Sequence, residues 1–230
     1  MGKKTWLCHT FPMHIQTLKN RYWLMRHGRS QANIAGKIIS SLEEGRAQWG
    51  LAPQAMEGIQ SSVESHSFSS NLVIVSSPFL RARETAETVC ALVGGGGVAL
   101  DENLRERWFG TLDGKEDSFY SQAWKWDESH LAQKTWDVPS PPNPSWGKDS
   151  VAESPEGVED CLTVLQRLLL VLHGQEKRHT GASILLVSHG DPLDILLAWS
   201  QGHSPYEHRK IPGMNTAEIR PLSSRISSLY

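Results

Sequence analysis

Two histidines occupy matching positions in the sequence. Only Arg26 separates His27 from 21–25, a short stretch of strand-forming residues, and only Ser188 separates His189 from the apolar run 184–187; a glycine comes after each histidine. If both runs are parallel strands of one open sheet, the two imidazoles meet beyond the carboxyl ends of the strands, where ligands bind. The glycines would let a ligand approach the adjacent backbone. The alternative is two unrelated turn histidines, which is an adequate explanation for either residue alone.

Two arginines and a glutamate lie where they could assist an imidazole nucleophile. Arg26 is adjacent to His27, and Arg81 lies just inside a predicted helix that leaves the second strand. A guanidinium group is always charged and matches phosphate oxygens bidentately, and a helix N-terminus also favours anions. Glu106 lies in a polar turn after the third strand and could donate a proton to a leaving oxygen if its pKa is raised. Taken alone, a glutamate in such a turn is more often a surface residue.

Four sequence blocks that contain these residues resemble, in family order, the motifs of the histidine phosphatase superfamily, which includes the phosphoglycerate mutases. The first block matches the pattern R-H-G-x-S/T-x-x-N, and the third matches L-x-E-R-x-F-G-x-L-x-G. One block would be a weak signal, but four in order are highly specific, and the resemblance extends over about residues 21–200. The blocks are LMRHGRSQAN at 24–33, SSPFLRARETA at 76–86, LRERWFGTLDG at 104–114 and VSHG at 187–190.

The resemblance implies a role for each matched residue. His27 would be the nucleophile that forms a phosphohistidine, and Glu106 would be the acid–base residue. Elementary chemistry agrees, since an attacking imidazole must be neutral and the charge of the transferred group requires preorganised cations. The residues that would clamp the phosphoryl group or donate hydrogen bonds to it are Arg26, Arg81, His189, Asn33 and the Gly190 backbone.

Departures from the mutase pattern favour a phosphatase. Phe109 stands where the mutases have a tyrosine, Gln133 and Lys134 stand where they have an arginine pair, and the segment before Ser154 is shorter. Loss of two cations that hold a substrate carboxylate would impair phosphoglycerate isomerisation. We therefore expect a phosphatase that hydrolyses a phosphomonoester of a small acidic metabolite through a phosphohistidine. The alternative is a phosphoglycerate mutase that transfers phosphate between hydroxyls of a glycerate.

Arg29 occupies a position where the family often has glutamate. It could contact a second anionic group of the substrate or be a solvated surface charge, and the sequence leaves both interpretations open. Other arginines near the motifs are interpreted as structural or surface residues, namely Arg46, Arg83, Arg105 and Arg107.

Two further function classes are disfavoured. A non-catalytic interaction protein on the same scaffold would normally have lost at least one of the five catalytic positions, and all five are filled. A metalloenzyme would need convergent carboxylates or further histidines, which the pairs His173/His179 and His9/His14 lack. We expect neither a metal nor a cofactor. The glycines at 94–97 are interpreted as a turn, since no Lys-Ser/Thr follows them.

Short apolar strands alternate with helices along the chain. This alternation predicts an α/β three-layer sandwich like that of the phosphoglycerate mutases, with a mostly parallel central sheet and helices on both faces. Ser154 and Pro155 predict the start of a long helix. The other predicted strands are 72–75, 98–101 and an edge strand at 216–222, and the other predicted helices are 53–66, one from Pro78 to the glycine tract and one from Asp191.

The chain is predicted to form one domain over residues 21–230, preceded by an arm at 1–20. The stretch 115–150 is rich in tryptophan and proline, and its composition predicts an irregular insertion. Such excursions often shape a pocket, although the tryptophans could simply pack it onto the body.

Composition narrows the classes of partner. A chain of 230 residues with 39% hydrophobic residues suits one large α/β domain. The net charge of −2 and the lack of a basic stripe disfavour nucleic acid and anionic membranes. Three widely spaced cysteines predict no disulfide framework. The sequence predicts no signal peptide in its first twenty residues and contains no apolar run of membrane-spanning length. These features predict a cytoplasmic protein and leave the oligomeric state open. The resemblance to the histidine phosphatases implies that its partner is a small phosphorylated metabolite.

Overall fold

The computed structural model describes residues 18–130 and 157–223. Within these residues, five strands form one sheet of order β3-β2-β4-β1-β5. Strands β1 to β4 are parallel, and β5 pairs antiparallel with β1 at one edge. The predicted mostly parallel sheet is therefore confirmed. The strands are β1 (Arg21–Arg26), β2 (Val73–Ser76), β3 (Val98–Leu100), β4 (Ser183–Ser188) and β5 (Ile219–Pro221).

Helices cover both faces of the sheet. Ile184 and Leu186 of β4 pack in one apolar cluster with α6 and α7, and Leu185 and Val187 pack in a second with α3 and α4. A strand buried on both sides needs apolar residues that face each side, and residues 184–187 of β4 are all apolar. The three-layer sandwich is confirmed. Its helices are α1 (Gln31–Ala35), α2 (Leu42–Ala47), α3 (Ala55–Glu64), α4 (Leu80–Val93), α5 (Tyr120–His130), α6 (Cys161–Arg178) and α7 (Gly190–Ser200).

Strand register aligns the carboxyl ends of the three central strands. Arg26 of β1 lies opposite Ser188 of β4, and Ser76 of β2 lies opposite Val187. The hydrogen bonds continue one residue further, because His27 N donates to Ser188 O at 3.0 Å and Ser77 N donates to Val187 O at 2.9 Å. The residues that follow these strands consequently meet at one edge of the sheet.

The start of α6 differs from the prediction. The helix begins at Cys161 after an Asp160 N-cap that accepts a hydrogen bond from Leu162 N, and residues 157–160 are not helical. Gly157 has a φ of 69°, in the left-handed region, and Val158 packs in a small cluster with Phe109. The prediction of a helix from Ser154 is therefore wrong for this part; residues 131–156 lie outside the described residues.

The prediction of an irregular stretch at 115–150 is also wrong in part, because Tyr120–His130 form α5. Ala123 and Asp127, one turn apart, are its buried positions. A buried aspartate breaks the apolar periodicity that predicts an amphipathic helix, and its burial depends on an ion pair with Arg107.

Smaller expectations have mixed outcomes. The glycine tract is a turn, and Gly94 ends α4 in the left-handed region at a φ of 66°. Cys161 is buried and Cys90 is partly buried, and both are free thiols. In the parts of the chain that the structure describes, no helix is long and apolar enough to cross a membrane. Residues 1–17, most of the predicted arm, lie outside those parts.

Candidate active site

His27 is a buried imidazole whose hydrogen bonds fix its tautomer. Its Nδ1 lies 2.7 Å from Gly28 O, and because a carbonyl only accepts, Nδ1 carries the proton. Nε2 therefore has a free lone pair, to which Arg81 Nε donates at 3.1 Å. Burial, aided by Arg81 and Arg26, lowers the pKa of His27 well below its usual value. His27 is thus a neutral imidazole with Nε2 available as a nucleophile.

His189 lies against His27, with their ring centroids 5.2 Å apart. Its Nε2 is 2.8 Å from Ser77 Oγ, which also accepts a hydrogen bond from Phe79 N. The Ser77 hydroxyl hydrogen can therefore donate to Nε2, and in that arrangement the His189 proton lies on Nδ1. That Nδ1 has no hydrogen-bond partner and lies 3.6 Å from Glu106 Oε2.

Two guanidinium groups complete the surroundings of His27. Arg81 donates from Nη2 to Ile39 O at 3.0 Å, and Arg26 donates from Nη1 to Met214 O at 2.7 Å. The buried atoms Arg81 Nη1 and Arg26 Nε have no hydrogen-bond partner. Buried donors are rarely left unpaired in folded proteins. Together with His189 Nδ1, these groups form a set of donors suited to an anion next to His27 Nε2.

Glu106 is the carboxyl group of this centre. Its Oε1 accepts from Arg107 N at 2.9 Å, and its Oε2 lies 3.5 Å from Arg81 Nη2. Burial raises the pKa of Glu106 to about 7, although Arg81 opposes the rise. A carboxyl group with this pKa exchanges protons near neutral pH and can act as a general acid or base.

A pocket with a volume of about 470 Å³ opens onto this centre. Four of the predicted site residues line it: Arg26, Asn33, Glu106 and Gly190. Gly190 begins α7, and a Cβ there would lie 3.3 Å from Arg26 Cζ, so glycine permits the guanidinium to lie against the helix N-terminus. The Asn33 side-chain oxygen is engaged by Ser30 N and Oγ in the α1 cap, which leaves its amide nitrogen to face a ligand.

Arg29 is the one predicted site residue that the structure places neither in the buried centre around His27 nor on the wall of this pocket. Arg29 is exposed to solvent and is not among the residues that line the cavity. This placement favours the surface-charge interpretation over contact with the substrate. Three other arginines lie in surface or partly buried ion pairs, as expected: Arg46 with Glu102, Arg83 with Glu87 and Arg105 with Glu159.

Arg107, which the sequence predicts to be a structural or surface residue, is fully buried beside the site and has a structural role. It binds both oxygens of Asp127 at 2.7 Å and reaches Asp191 Oδ2 at 3.1 Å. It therefore ties α5 and α7 to the loop that carries Glu106. The sequence gives no signal for this cluster, because a distant aspartate in an unrecognised helix supplies the partner. Ser77 was also missed, although it follows β2 as His27 follows β1.

One group of described residues has the composition of a metal site. Ligand atoms of Asp127, Cys161 and His208 lie within 4.8 Å of one another. However, Arg107 already holds both oxygens of Asp127, and burial raises the pKa of the Cys161 thiol well above its usual value. A neighbouring cation and a protonated thiol make the group a poor cation site.

Known proteins resemble this chain over most of its length. A 2,3-bisphosphoglycerate-dependent phosphoglycerate mutase of Methylocella silvestris is 26% identical over 207 residues, covering 89% of this chain and 91% of the relative. The Rhodopseudomonas palustris mutase is 27% identical over 179 residues, covering 75% and 83%.

Two solved structures share the fold. Bacillus stearothermophilus YhfR superposes with a TM-score of 0.65 at 24% identity, covering 88% of this chain and 90% of its own. A mycobacterial glucosyl-3-phosphoglycerate phosphatase superposes with a TM-score of 0.62 at 22% identity, covering 87% and 88%.

A family model matches residues 22–223, which include the four sequence blocks and the buried centre around His27. The match covers the described sheet except for Arg21, the first residue of β1. The chain therefore belongs to the histidine phosphatase superfamily, branch 1.

Proposed function

We propose that this protein is a phosphatase that hydrolyses a phosphomonoester of a small acidic metabolite through a phosphohistidine on His27. One observation carries the proposal: a neutral His27, contacted by Arg81 and by the ring of His189, lies in a buried centre where one nitrogen each of Arg26, Arg81 and His189 has no hydrogen-bond partner. A nucleophilic lone pair surrounded by donors is what phosphoryl transfer requires, since most of its catalysis is positioning and charge stabilisation.

In the first step, His27 Nε2 attacks phosphorus and the bond from phosphorus to the ester oxygen breaks. Arg81 Nε must exchange its hydrogen bond to Nε2 for one to a phosphoryl oxygen. Arg26 and His189 donate to the other oxygens as negative charge spreads over them. Protonated Glu106 gives its proton to the leaving alkoxide, which departs as an alcohol.

In the second step, water attacks the phosphohistidine. Glu106, now a carboxylate, takes a proton from the water as it bonds to phosphorus. The bond from phosphorus to Nε2 breaks, inorganic phosphate is released and His27 returns to its neutral form. A pKa of about 7 lets Glu106 serve in both directions near neutral pH.

Phosphoglycerate mutase activity is the alternative, since several relatives carry that name. A mutase would form the same phosphohistidine and pass the group to a second hydroxyl rather than to water. Phe109 favours hydrolysis, because this fully buried ring packs edge-on to Tyr120 at 4.8 Å and supplies no hydroxyl to the substrate.

The test is phosphate release from a panel of phosphorylated metabolites without added metal, for wild type and His27→Ala. The panel includes 3-phosphoglycerate with and without 2,3-bisphosphoglycerate, and 2-phosphoglycerate is followed in parallel. We expect release by the wild type alone. Full activity in His27→Ala would overturn the proposal, and isomerisation without release would establish the mutase. No turnover and no trapped phosphohistidine would favour a non-catalytic interaction protein.

A further inference from the structure

The pocket contains a guanidinium group that the proposed mechanism does not use. Arg209 lies in the 3-10 turn Pro205–Lys210 that follows α7, and its side chain is 36% exposed. It lines the cavity together with Trp124 and Asp194. Arg209 is therefore both accessible to a ligand and part of the same pocket as Arg26 and Glu106.

Arg209 is held in place from two sides. Its Cζ lies 4.1 Å from the ring centroid of Trp124, and its Nη1 donates to Asp194 Oδ2 at 3.2 Å. Trp124 is fixed in turn, because its Nε1 donates to Asp191 Oδ1 at 3.1 Å. Among the described residues, Arg209 Nε and Nη2 have no hydrogen-bond partner. The group is thus oriented before a ligand arrives, with two donors free, which lowers the entropic cost of binding.

A short path of hydrogen bonds connects Arg209 to the phosphoryl site. Arg26 Nη1 donates to Met214 O at 2.7 Å, and Met214 N donates to Asp194 Oδ1 at 3.0 Å. The other Asp194 oxygen accepts from Arg209. One backbone residue and one carboxylate therefore fix the distance between the two guanidinium groups, as recognition of two anionic groups on one small molecule requires.

The other cations that line the described pocket are less suited to this task. Arg26 belongs to the phosphoryl site, next to His27. Lys37 is exposed, and its Nζ makes only a long contact of 3.5 Å with Gly114 O. Arg29 does not line the pocket. A planar fork held on an aromatic ring also matches a carboxylate better than a mobile ammonium does.

The geometry points to Arg209 as the residue that binds a second anionic group of the substrate, a carboxylate, through Nε and Nη2. The inference rests on the proposed phosphatase activity and assigns to Arg209 the contact that the sequence suggested for Arg29. It names the substrate class as phosphomonoesters that carry an acid group at a fixed distance from the phosphate.

Two substrates with the same three-carbon frame test this inference. 3-Phosphoglycerate carries a carboxylate where glycerol 3-phosphate carries a hydroxymethyl group. We expect the wild type to prefer 3-phosphoglycerate in kcat/KM. Arg209→Gln should lower the ratio of the two kcat/KM values by about tenfold or more, the range expected for one charge-assisted hydrogen-bonding group. Arg209→Lys should retain part of the ratio.

Two control variants separate this effect from a general loss of charge. Arg46→Gln removes an exposed arginine outside the pocket, and Lys37→Gln removes the competing pocket cation. Both should leave the ratio within about twofold, since surface charges contribute little. A purely structural role of Arg209 would lower both kcat/KM values together and leave their ratio unchanged.

An unchanged ratio in Arg209→Gln, a wild-type preference for glycerol 3-phosphate, or a loss of selectivity in Lys37→Gln instead would overturn the inference. If Arg209→Gln does not fold, Arg209→Lys supplies the same comparison. Failure of the phosphatase proposal would look different, because the wild type would release phosphate from neither ester. Calorimetric binding of 3-phosphoglycerate to wild type and Arg209→Lys would then still decide the role of Arg209.

Discussion

The buried centre around His27 and the part of the pocket wall formed by Arg209 and Trp124 are built from different parts of the fold. His27, Ser77 and His189 follow directly on β1, β2 and β4, so hydrogen bonds of the sheet set their backbone positions. Arg209 and Trp124 instead lie on a 3-10 turn and on α5 and reach the pocket through long side chains. In the proposed mechanism, the first region supplies the chemistry that hydrolysis of any phosphomonoester needs. The second can change without disturbing that chemistry, and it is where specificity can arise.

The same change made in both regions gives the sharpest contrast. Arg81→Gln removes a buried guanidinium that contacts His27 and Glu106. Because Arg81 would stabilise charge in every phosphoryl transfer, we expect kcat/KM to fall by about a thousandfold. The fall should be the same for 3-phosphoglycerate and glycerol 3-phosphate. Steady-state kinetics on the two esters checks this, and a loss confined to one ester would erase the distinction between the regions.

The connection between the two regions can be broken at Arg107. Arg107→Met leaves the buried carboxylates of Asp127 and Asp191 without their cation, so we expect the free energy of unfolding to fall by about 3 kcal/mol or more. Urea denaturation measures the change. Arg105→Met, at a partly exposed ion pair, should cost under about 1 kcal/mol. Equal losses in the two variants would mean that the buried cluster does not join the regions.

The two regions also differ in how far the sequence predicts them. The buried centre was predictable because a strand followed by a polar residue and glycine marks the functional edge of a parallel sheet. A broader rule, which asks only for a polar residue directly after a strand, would also have found Ser77, which follows β2 and precedes Pro78. Sequence patterns do not predict α5, because one of its buried positions is Asp127 and the helix therefore lacks an apolar periodicity. The burial of Asp127 depends on its ion pair with Arg107, which lies far from it in sequence. Nor do sequence patterns place Arg209 over Trp124, since that contact depends on how a turn after α7 packs on an unrecognised helix.

Glu106 sharpens the chemical half of the comparison through pH. Its pKa of about 7 means that the proton donor is present below pH 7 and is lost as the pH rises through that value. In single-turnover experiments with an alkyl phosphate, phosphohistidine formation should therefore slow above about pH 7. Glu106→Gln should slow the step about a hundredfold and remove this dependence. With p-nitrophenyl phosphate, whose leaving group needs no proton, the effect should be small; an equal effect on both esters would argue against proton donation.

Substitution of Arg29 should give the smallest change in kinetics. It tests whether an arginine outside the pocket contributes to substrate selectivity. Arg29 follows His27, the proposed nucleophile, by two positions in sequence, yet it is exposed and does not line the pocket. Arg29→Gln should therefore change neither kcat/KM nor the preference for 3-phosphoglycerate by more than about twofold, as for other solvated charges. The substitution matches Arg209→Gln in chemistry and differs only in where the charge lies. If Arg29→Gln lowered the selectivity ratio as Arg209→Gln is expected to, proximity in sequence rather than placement in the pocket would define the acid-binding residue.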